Sequence, residues 1–174
     1  DDEGRVLITE HDNFLLYNIY FPNGQKDDIR LQYKLDFYDD LLPIINDQVD
    51  SGNNVIVAGD WNTAHLPIDL ARPNENKNTS GFMPIEREKI DFYVSNGWID
   101  TFRLFHEEGD RYSWWTYRFG ARDRNIGWRI DYFFVNEGNA TSKDIELLIK
   151  NVKEKVYLKT GVKLDLEIKI VGKN

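Results

Sequence analysis

SGNNVIVAGDWN, residues 51–62, is the stretch on which the fold turns. Residues 54–58, NVIVA, read as a short apolar strand with no polar alternation. Such runs suit a strand buried on both faces, as in layered α/β proteins. Gly59, Asp60 and Asn62 follow where the strand ends, and functional groups of open α/β sheets gather at the carboxyl ends of strands. An aspartate there can hold a metal or accept a proton from water. An asparagine two residues on projects to the same side if the backbone stays extended. Asp-x-Asn suits a hydrolytic centre handling phosphate, the acid activating water and the amide donating to an oxygen. Gly, Asp and Asn are equally ordinary turn residues after a strand, so the motif alone leaves both readings open.

Upstream, RVLITE (5–10) and FLLYNIY (14–20) read as two strands joined by a His11-Asp12-Asn13 turn. Tyr20 ends the second strand, before the turn FPNGQ (21–25), and its phenol could meet a phosphate or simply pack. Leu31, Leu35, Tyr38, Leu42, Ile45 and Val49 recur at spacings of four and three, which predicts one helical face over 27–50. Pro43 interrupts that helix and predicts a kink or break. Downstream, a polar loop runs to about residue 83. Pro84 opens a helix ending near Gly97, with Ile90, Tyr93 and Val94 expected on its inner face. WIDTFRLF is a shorter element, and SWWTY and WRIDYFFV are strands over 112–135. Strands adjacent in sequence, mixed with helices, predict an α/β protein with mixed or antiparallel sheets.

The most unusual composition lies in YSWWTYRFGARDRNIGWRIDY, residues 112–132. In the window 111–129, Arg111, Arg118, Arg122, Arg124 and Arg129 face one acid, Asp123, and six aromatics are interleaved: Tyr112, Trp114, Trp115, Tyr117, Phe119 and Trp128. The whole chain carries net charge −8, so this cluster runs against its background. Arginines pair bidentately with phosphates and aromatic faces stack on bases, the combination a nucleic-acid groove needs. A hairpin with a solvated arginine face and an aromatic core face explains the composition equally well.

A chain of 174 residues, 41% hydrophobic and 14% aromatic, is one ordinary globular domain. It contains no cysteine, which excludes disulfides, thiolate metal sites and cysteine nucleophiles. No apolar run approaches membrane-spanning length and no signal peptide opens the sequence, so a cytoplasmic protein is expected and the sequons at Asn78 and Asn139 carry little meaning. The acidic total argues against indiscriminate coating of DNA. His11, His65 and His106 sit in polar stretches without ligand spacing and are expected at the surface.

The succession NIYFPNGQ, VIVAGDWNTAHLPIDLA, NTSGFMPIEREKIDFYVSNGWIDTFRLFH and YSWWTYRFGARDRNIGWRIDYFFV resembles the exonuclease III family of abasic-site endonucleases over residues 4–135. These are Mg²⁺-dependent phosphodiesterases of the endonuclease/exonuclease/phosphatase superfamily. The resemblance implies a partial four-layered α/β sandwich, a DNA substrate cut at an abasic site or a 3′ end, and Mg²⁺ (or Mn²⁺) as cofactor. It implies that Asp60 binds the metal or activates the attacking water, and that Asn62 holds the water or the phosphate. Tyr20 and Asn23 would contact the scissile phosphate, and Asp131 would orient a catalytic histidine. Trp114, Trp128 and Ile130 would form an apolar pocket for a base-free sugar, with Arg122, Arg124 and Asn125 in a DNA-contacting loop.

Several family motifs do not occur in these residues: the opening WNVNG-like strand, the QE motif whose glutamate binds metal, and the closing SDH motif. Asp131 thus lacks its histidine and Asp60 its glutamate, which predicts impaired catalysis unless another acid, Asp69 or Asp131, completes the site. Residues 133–172 are similar instead to the C-terminus of UDP-N-acetylenolpyruvoylglucosamine reductase, whose proton-transfer acid matches Glu167. The expected division is a truncated nuclease-like domain, 1–135, and a reductase-like helix–strand tail, 136–174. In that tail Thr141-Ser142-Lys143-Asp144 reads as a capping box, Ile145, Leu148, Ile149, Val152 and Val156 as a helical stripe ending at Gly161, and Val162 to Ile170 as an alternating strand. The functional expectations are an impaired repair nuclease, a catalytically dead DNA-binding module or a hybrid fragment, with flavin-dependent reduction the remaining class.

Overall fold

The computed structural model describes residues 3–136 and 142–164. The chain divides into two compact units, Asp1–Ala140 and Thr141–Asn174.

The first unit opens with a hairpin. Strand β1 (Val6–His11) pairs antiparallel with β2 (Phe14–Tyr20), and the His11 and Phe14 rings stack at 4.6 Å across the turn. Helix α1 (Asp28–Asp50) follows, capped by the Asp27 carboxylate, which accepts the Arg30 N–H at 2.8 Å. It continues through Pro43 without the break that is one of the two expected outcomes. Leu35, Tyr38, Leu42 and Ile45, on both sides of the proline, are all buried. At roughly 1.5–3 kcal/mol for each buried large side chain, that face outweighs the ~3 kcal/mol of an interior proline.

Strand β3 (Val55–Asp60) is the expected apolar run, and Val55, Ile56 and Val57 are wholly buried. A single turn, α2 (Pro73–Asn76), lies in the polar loop before α3 (Pro84–Ser95). Ile90 and Tyr93 of α3 are buried but Val94 is exposed: one residue past Tyr93 the helix has turned about 100° away from the core. Strand β4 (Trp98–Asp100) leads into a 3-10 turn at Thr101–Leu104. The aromatic segment then contributes less strand than expected. Only β5 (Trp114–Trp115), β6 (Gly127–Trp128) and β7 (Asp131–Asn136) are extended, because Arg118 to Asn125 fold into successive turns with Phe119 and Asn125 at positive φ.

The main sheet runs β1-β2-β3-β7-β4 and is mixed: β2 and β3 are parallel, joined through α1, while the remaining pairs are antiparallel. Strands β5 and β6 form a separate ribbon. The core lies between sheet and helices, where Trp61 packs among Phe21, Tyr93, Tyr132 and Phe134. The fold class is α/β, as the sequence predicts. In the second unit, α4 (Ser142–Thr160) ends at Gly161, whose φ of 71° and N–H bond to the Tyr157 carbonyl match the expected helix terminus. Residues 162–164 carry no strand. Thr141, Glu167 and the rest of the expected terminal strand lie outside the described residues, as does the side-chain pattern of most of the helical stripe.

Among the described residues no helix is long and apolar enough to cross a membrane.

Candidate phosphate and DNA site

Sheet register builds the centre of the site. Tyr20 is the ladder partner of Asp60 on one side and Asp131 is its partner on the other. Ladder partners share a face of the sheet, so a phenol and two carboxylates stand in one row. The parallel β2–β3 pair brings two carboxyl ends together, and antiparallel β7 brings its amino end to the same edge. Gly59 is required within β3: its φ is 131°, and a Cβ there would collide with the Ile19 carbonyl oxygen.

Asn62 follows in a left-handed conformation, φ 51°. Its N–H donates to Asp60 Oδ1 at 2.8 Å and its Nδ2 donates to the Phe21 carbonyl at 2.9 Å. Asn23 Nδ2 donates to Asn62 Oδ1 at 3.1 Å, while Asn23 Oδ1 accepts the Gln25 N–H. Four residues expected to share a phosphate centre, Tyr20, Asp60, Asn62 and Asp131, are therefore together, with Asn23 bonded to Asn62. Tyr20 is exposed, and the Arg5 guanidinium lies 5.0 Å over its ring. Burial raises the Asp60 carboxyl to about 6; the neighbouring Asp131 charge adds to the rise, while the Asn62 N–H and the Lys34 ammonium oppose it.

The apolar pocket residues also converge. Trp114 pairs with Trp128 across the ribbon. Ile130 is buried with Ala64, Leu70 and Phe82, and Trp128 packs against that cluster, edge-on to Phe82. Trp61 N–H donates to the Ile130 carbonyl at 2.8 Å, tying this cluster to the turn that carries Asn62. Between β5 and β6, the loop exposes Tyr117, Phe119, Arg118, Arg122 and Arg124. The Arg122 guanidinium lies 5.3 Å over the Trp115 ring. Asn125 is in this loop, but its amide closes it: Nδ2 donates to the Asp110 carbonyl at 2.9 Å and Oδ1 accepts from Trp115 Nε1 at 3.3 Å.

Two of the cluster's arginines face other partners. Arg111 pairs with Glu108. Arg129 is buried, bonded to Asp69 at 2.7 Å and to both oxygens of Asp100. Asp69 also accepts from Arg103 and from the Leu66 N–H; burial pushes its carboxyl up, but Arg129 above all, then the Leu66 N–H and Arg103, hold it below the usual range. Asp69 is thus committed to a structural network and is not placed to complete a metal site. His65 is likewise buried rather than superficial: its ring Nε2 lies 2.7 Å from Asp91 and its N–H donates to the Tyr132 hydroxyl. His11 and His106 are half-buried.

The sequence reading missed one further pair. Lys34 and Glu86 form a fully buried ion pair at 2.6 Å, and Lys34 Nζ also donates to the Asn62 carbonyl at 2.7 Å. The available signal was phase: Lys34 is three residues after Leu31 and four before Tyr38, a charge on the apolar side of α1.

As to a metal, Asp60 and Asp131 offer two carboxylates, and Asn62 Oδ1 is already occupied by Asn23. Among the described residues no group of three His, Cys, Asp or Glu side chains is placed to hold an ion. Mg²⁺ dehydrates reluctantly and needs near-octahedral oxygen donors, so these residues do not by themselves make its site.

The strand ends of a mixed α/β sheet thus gather Tyr20, Asp60 and Asp131, with Asn62 hydrogen-bonded to Asp60. The chain belongs to the Endonuclease/Exonuclease/phosphatase family, which it matches over residues 1–152. It is 44% identical over 138 residues to an exodeoxyribonuclease of Bacillus subtilis, covering 79% of this chain and 54% of that one. It is 36% identical to the zebrafish (Danio rerio) DNA repair nuclease APEX1 over 78% of this chain and 44% of the relative. Its fold matches an AP endonuclease from Archaeoglobus fulgidus with a TM-score of 0.72 at 30% identity, over 78% of this chain and 53% of that one. A Neisseria 3′ phosphatase bound to a product DNA hairpin matches equally, TM-score 0.72 at 26% identity, over 76% and 52%. The chain thus spans about half the length of these relatives. By name these relatives are an exodeoxyribonuclease, a DNA repair nuclease, an AP endonuclease and a 3′ phosphatase, and nucleases of the family are generally dependent on divalent metal ions.

Proposed function

We propose that this chain carries the phosphate-binding and DNA-binding part of a repair nuclease that hydrolyses a DNA phosphodiester at an abasic site or a 3′ end. The observation that carries the reading is the single row of Tyr20, Asp60 and Asp131, with Asn62 and Asn23 hydrogen-bonded beside it. The Tyr20 phenol and the unused amide hydrogen of Asn62 are donors suited to a phosphate oxygen. Asp60, ionised at neutral pH, is the acceptor for the proton of an attacking water, help that is typically worth ~10²–10⁴-fold. Asp131 is the orienting acid of the family arrangement. Trp114, Trp128 and Ile130 offer an apolar wall to a sugar without its base, and Arg122 and Arg124 offer charge to the flanking phosphates.

The family's cofactor, Mg²⁺ or Mn²⁺, supplies charge neutralisation at the phosphate in nucleases of this kind. Asp60 and Asp131 alone do not assemble its site. The expected turnover of the 174-residue chain is therefore near background. The test is cleavage of a duplex with one abasic site by purified chain in Mg²⁺, with Asp60→Ala as control. Strong cleavage lost in Asp60→Ala would overturn the expectation of impairment and uphold the site; cleavage unchanged in that variant would overturn the site.

The arginine-aromatic loop supports a second reading, a DNA-binding module without turnover. Binding with no cleavage selects it.

A further inference from the structure

The buried lysine of α1 has a role that the ion pair alone does not explain. Glu86 satisfies its own loop extensively: Oε2 accepts the N–H groups of Gly81 and Met83 at 2.6 and 3.1 Å, and Oε1 accepts the Ser80 hydroxyl at 2.9 Å. A lysine needed only to neutralise that carboxylate would have no reason to reach the turn after β3. Lys34 reaches it, with 2.7 Å from Nζ to the Asn62 carbonyl oxygen and no exposure of its side chain. Asn62 is the residue there that needs holding, because non-glycine residues rarely occupy left-handed φ. Its N–H is bonded to Asp60 and its side chain to Phe21 and Asn23, so the orientation of its peptide planes decides how all three are arranged.

We propose that Lys34 is a positioning residue of the site: its ammonium clamps the Asn62 carbonyl against Glu86 and so fixes the left-handed turn that presents the Asn62 amide beside Asp60. This rests on the proposed phosphodiester site for its purpose, but not for its geometry. Burying an ammonium is costly unless every donor is used well, and a buried ion pair by itself is a weak source of stability. A lysine retained at this point is better explained by the turn it specifies than by the energy it adds.

The experiment uses the full chain and two samples. Lys34→Met removes the charge and the donors. Lys34→Cys, alkylated with bromoethylamine in denaturant and refolded, restores an ammonium at nearly the original length; the chain has no cysteine, so the modification is single-site. Amide exchange by NMR reads the Asn62 N–H against the Val57 N–H in the sheet. Expected is exchange at Asn62 faster by roughly tenfold or more in Lys34→Met, the loss of about one good hydrogen bond, with Val57 unchanged and Asn62 recovered in the aminoethylated protein. If Lys34→Met folds only in trimethylamine N-oxide, the same ratio is read there against wild type in the same solvent. Equal acceleration at both amides, or no change at Asn62, overturns the inference. In a second arm, the affinity ratio for abasic over intact duplex should fall in Lys34→Met and return on aminoethylation. A wild-type chain without that preference sinks the functional reading alone, since the Asn62 exchange still decides the role of Lys34.

Discussion

Asp60 and Asp131 are direct ladder partners on antiparallel strands 71 residues apart in sequence, two carboxylates in the same row of the sheet. An arrangement of like charges is unfavourable to the folded state when both are ionised, and burial of Asp60 makes it more so.

The consequence is a pH dependence of definite sign. The folded-state value of Asp60, about 6, lies above its ordinary value of 3.8. The folded protein therefore holds more protons than the unfolded chain between these limits. This group's contribution favours folding most below pH 4 and is lost as pH rises through 6, by at most about 3 kcal/mol. Asp60→Asn should match wild type near pH 4 and exceed it at pH 7–8 in urea unfolding. Equal stabilities of the two proteins at pH 8 would contradict the assigned environment.

Removing Arg129 should be severe. It stands between Asp69 and Asp100, both buried, and Arg129→Met leaves two carboxylates facing each other with only Arg103 to help. Breaking a buried pair on one side typically costs about 3–5 kcal/mol. The expected result is a chain unfolded or barely folded at 37 °C by circular dichroism. The same residue should contribute nothing to DNA affinity in any variant that keeps the fold.

The loop arginines should behave in the opposite way. Arg122→Ala with Arg124→Ala is expected to leave the unfolding midpoint within experimental scatter while weakening duplex binding. If each contacts one phosphate, the slope of log K against log salt should fall by about 1.8. Fluorescence anisotropy between 50 and 200 mM salt, as about the useful range, reads this directly. An unchanged slope would exclude these arginines from phosphate contact.

Two buried tryptophans offer a matched comparison. Trp98 Nε1 donates to Asn46 Oδ1 at 2.8 Å, whereas Trp61 Nε1 has no partner among the described residues. Trp98→Phe breaks a bond and strands an acceptor, while Trp61→Phe removes a donor that is already unpaired. The first should be the more destabilising, by about 1–2 kcal/mol in chemical denaturation. The reverse order would mean that the Trp61 indole is satisfied in solution.

What could be read from the sequence was set by the range over which each signal acts. The apolar run at 54–58 announced β3, and the spacing of Leu35, Tyr38, Leu42 and Ile45 announced α1, because both patterns are local. The row of Tyr20, Asp60 and Asp131 was legible through family motifs, since spacing alone cannot place residues 40 and 71 positions apart beside one another. Pro43 misled because a local rule was overruled by burial around it. Lys34, Glu86, His65, Asp69 and Arg129 were hidden for the same reason in reverse. Each is polar and reads as surface, and the partner that lets it be buried lies 26 to 60 positions away.

The mixed sheet also fixes when the site can exist during folding. Hairpin β1–β2 and helix α1 form from neighbours in sequence, but the row of Tyr20, Asp60 and Asp131 waits for β7 to dock on β3 across most of the unit. Such long loop closures are late and slow events. A DNA-binding or phosphate-binding signal would therefore rise only after helical circular dichroism has recovered in a refolding trace. Under the proposed function, ligand capture would be a clock for topological completion, arriving last among the features that make the chain native.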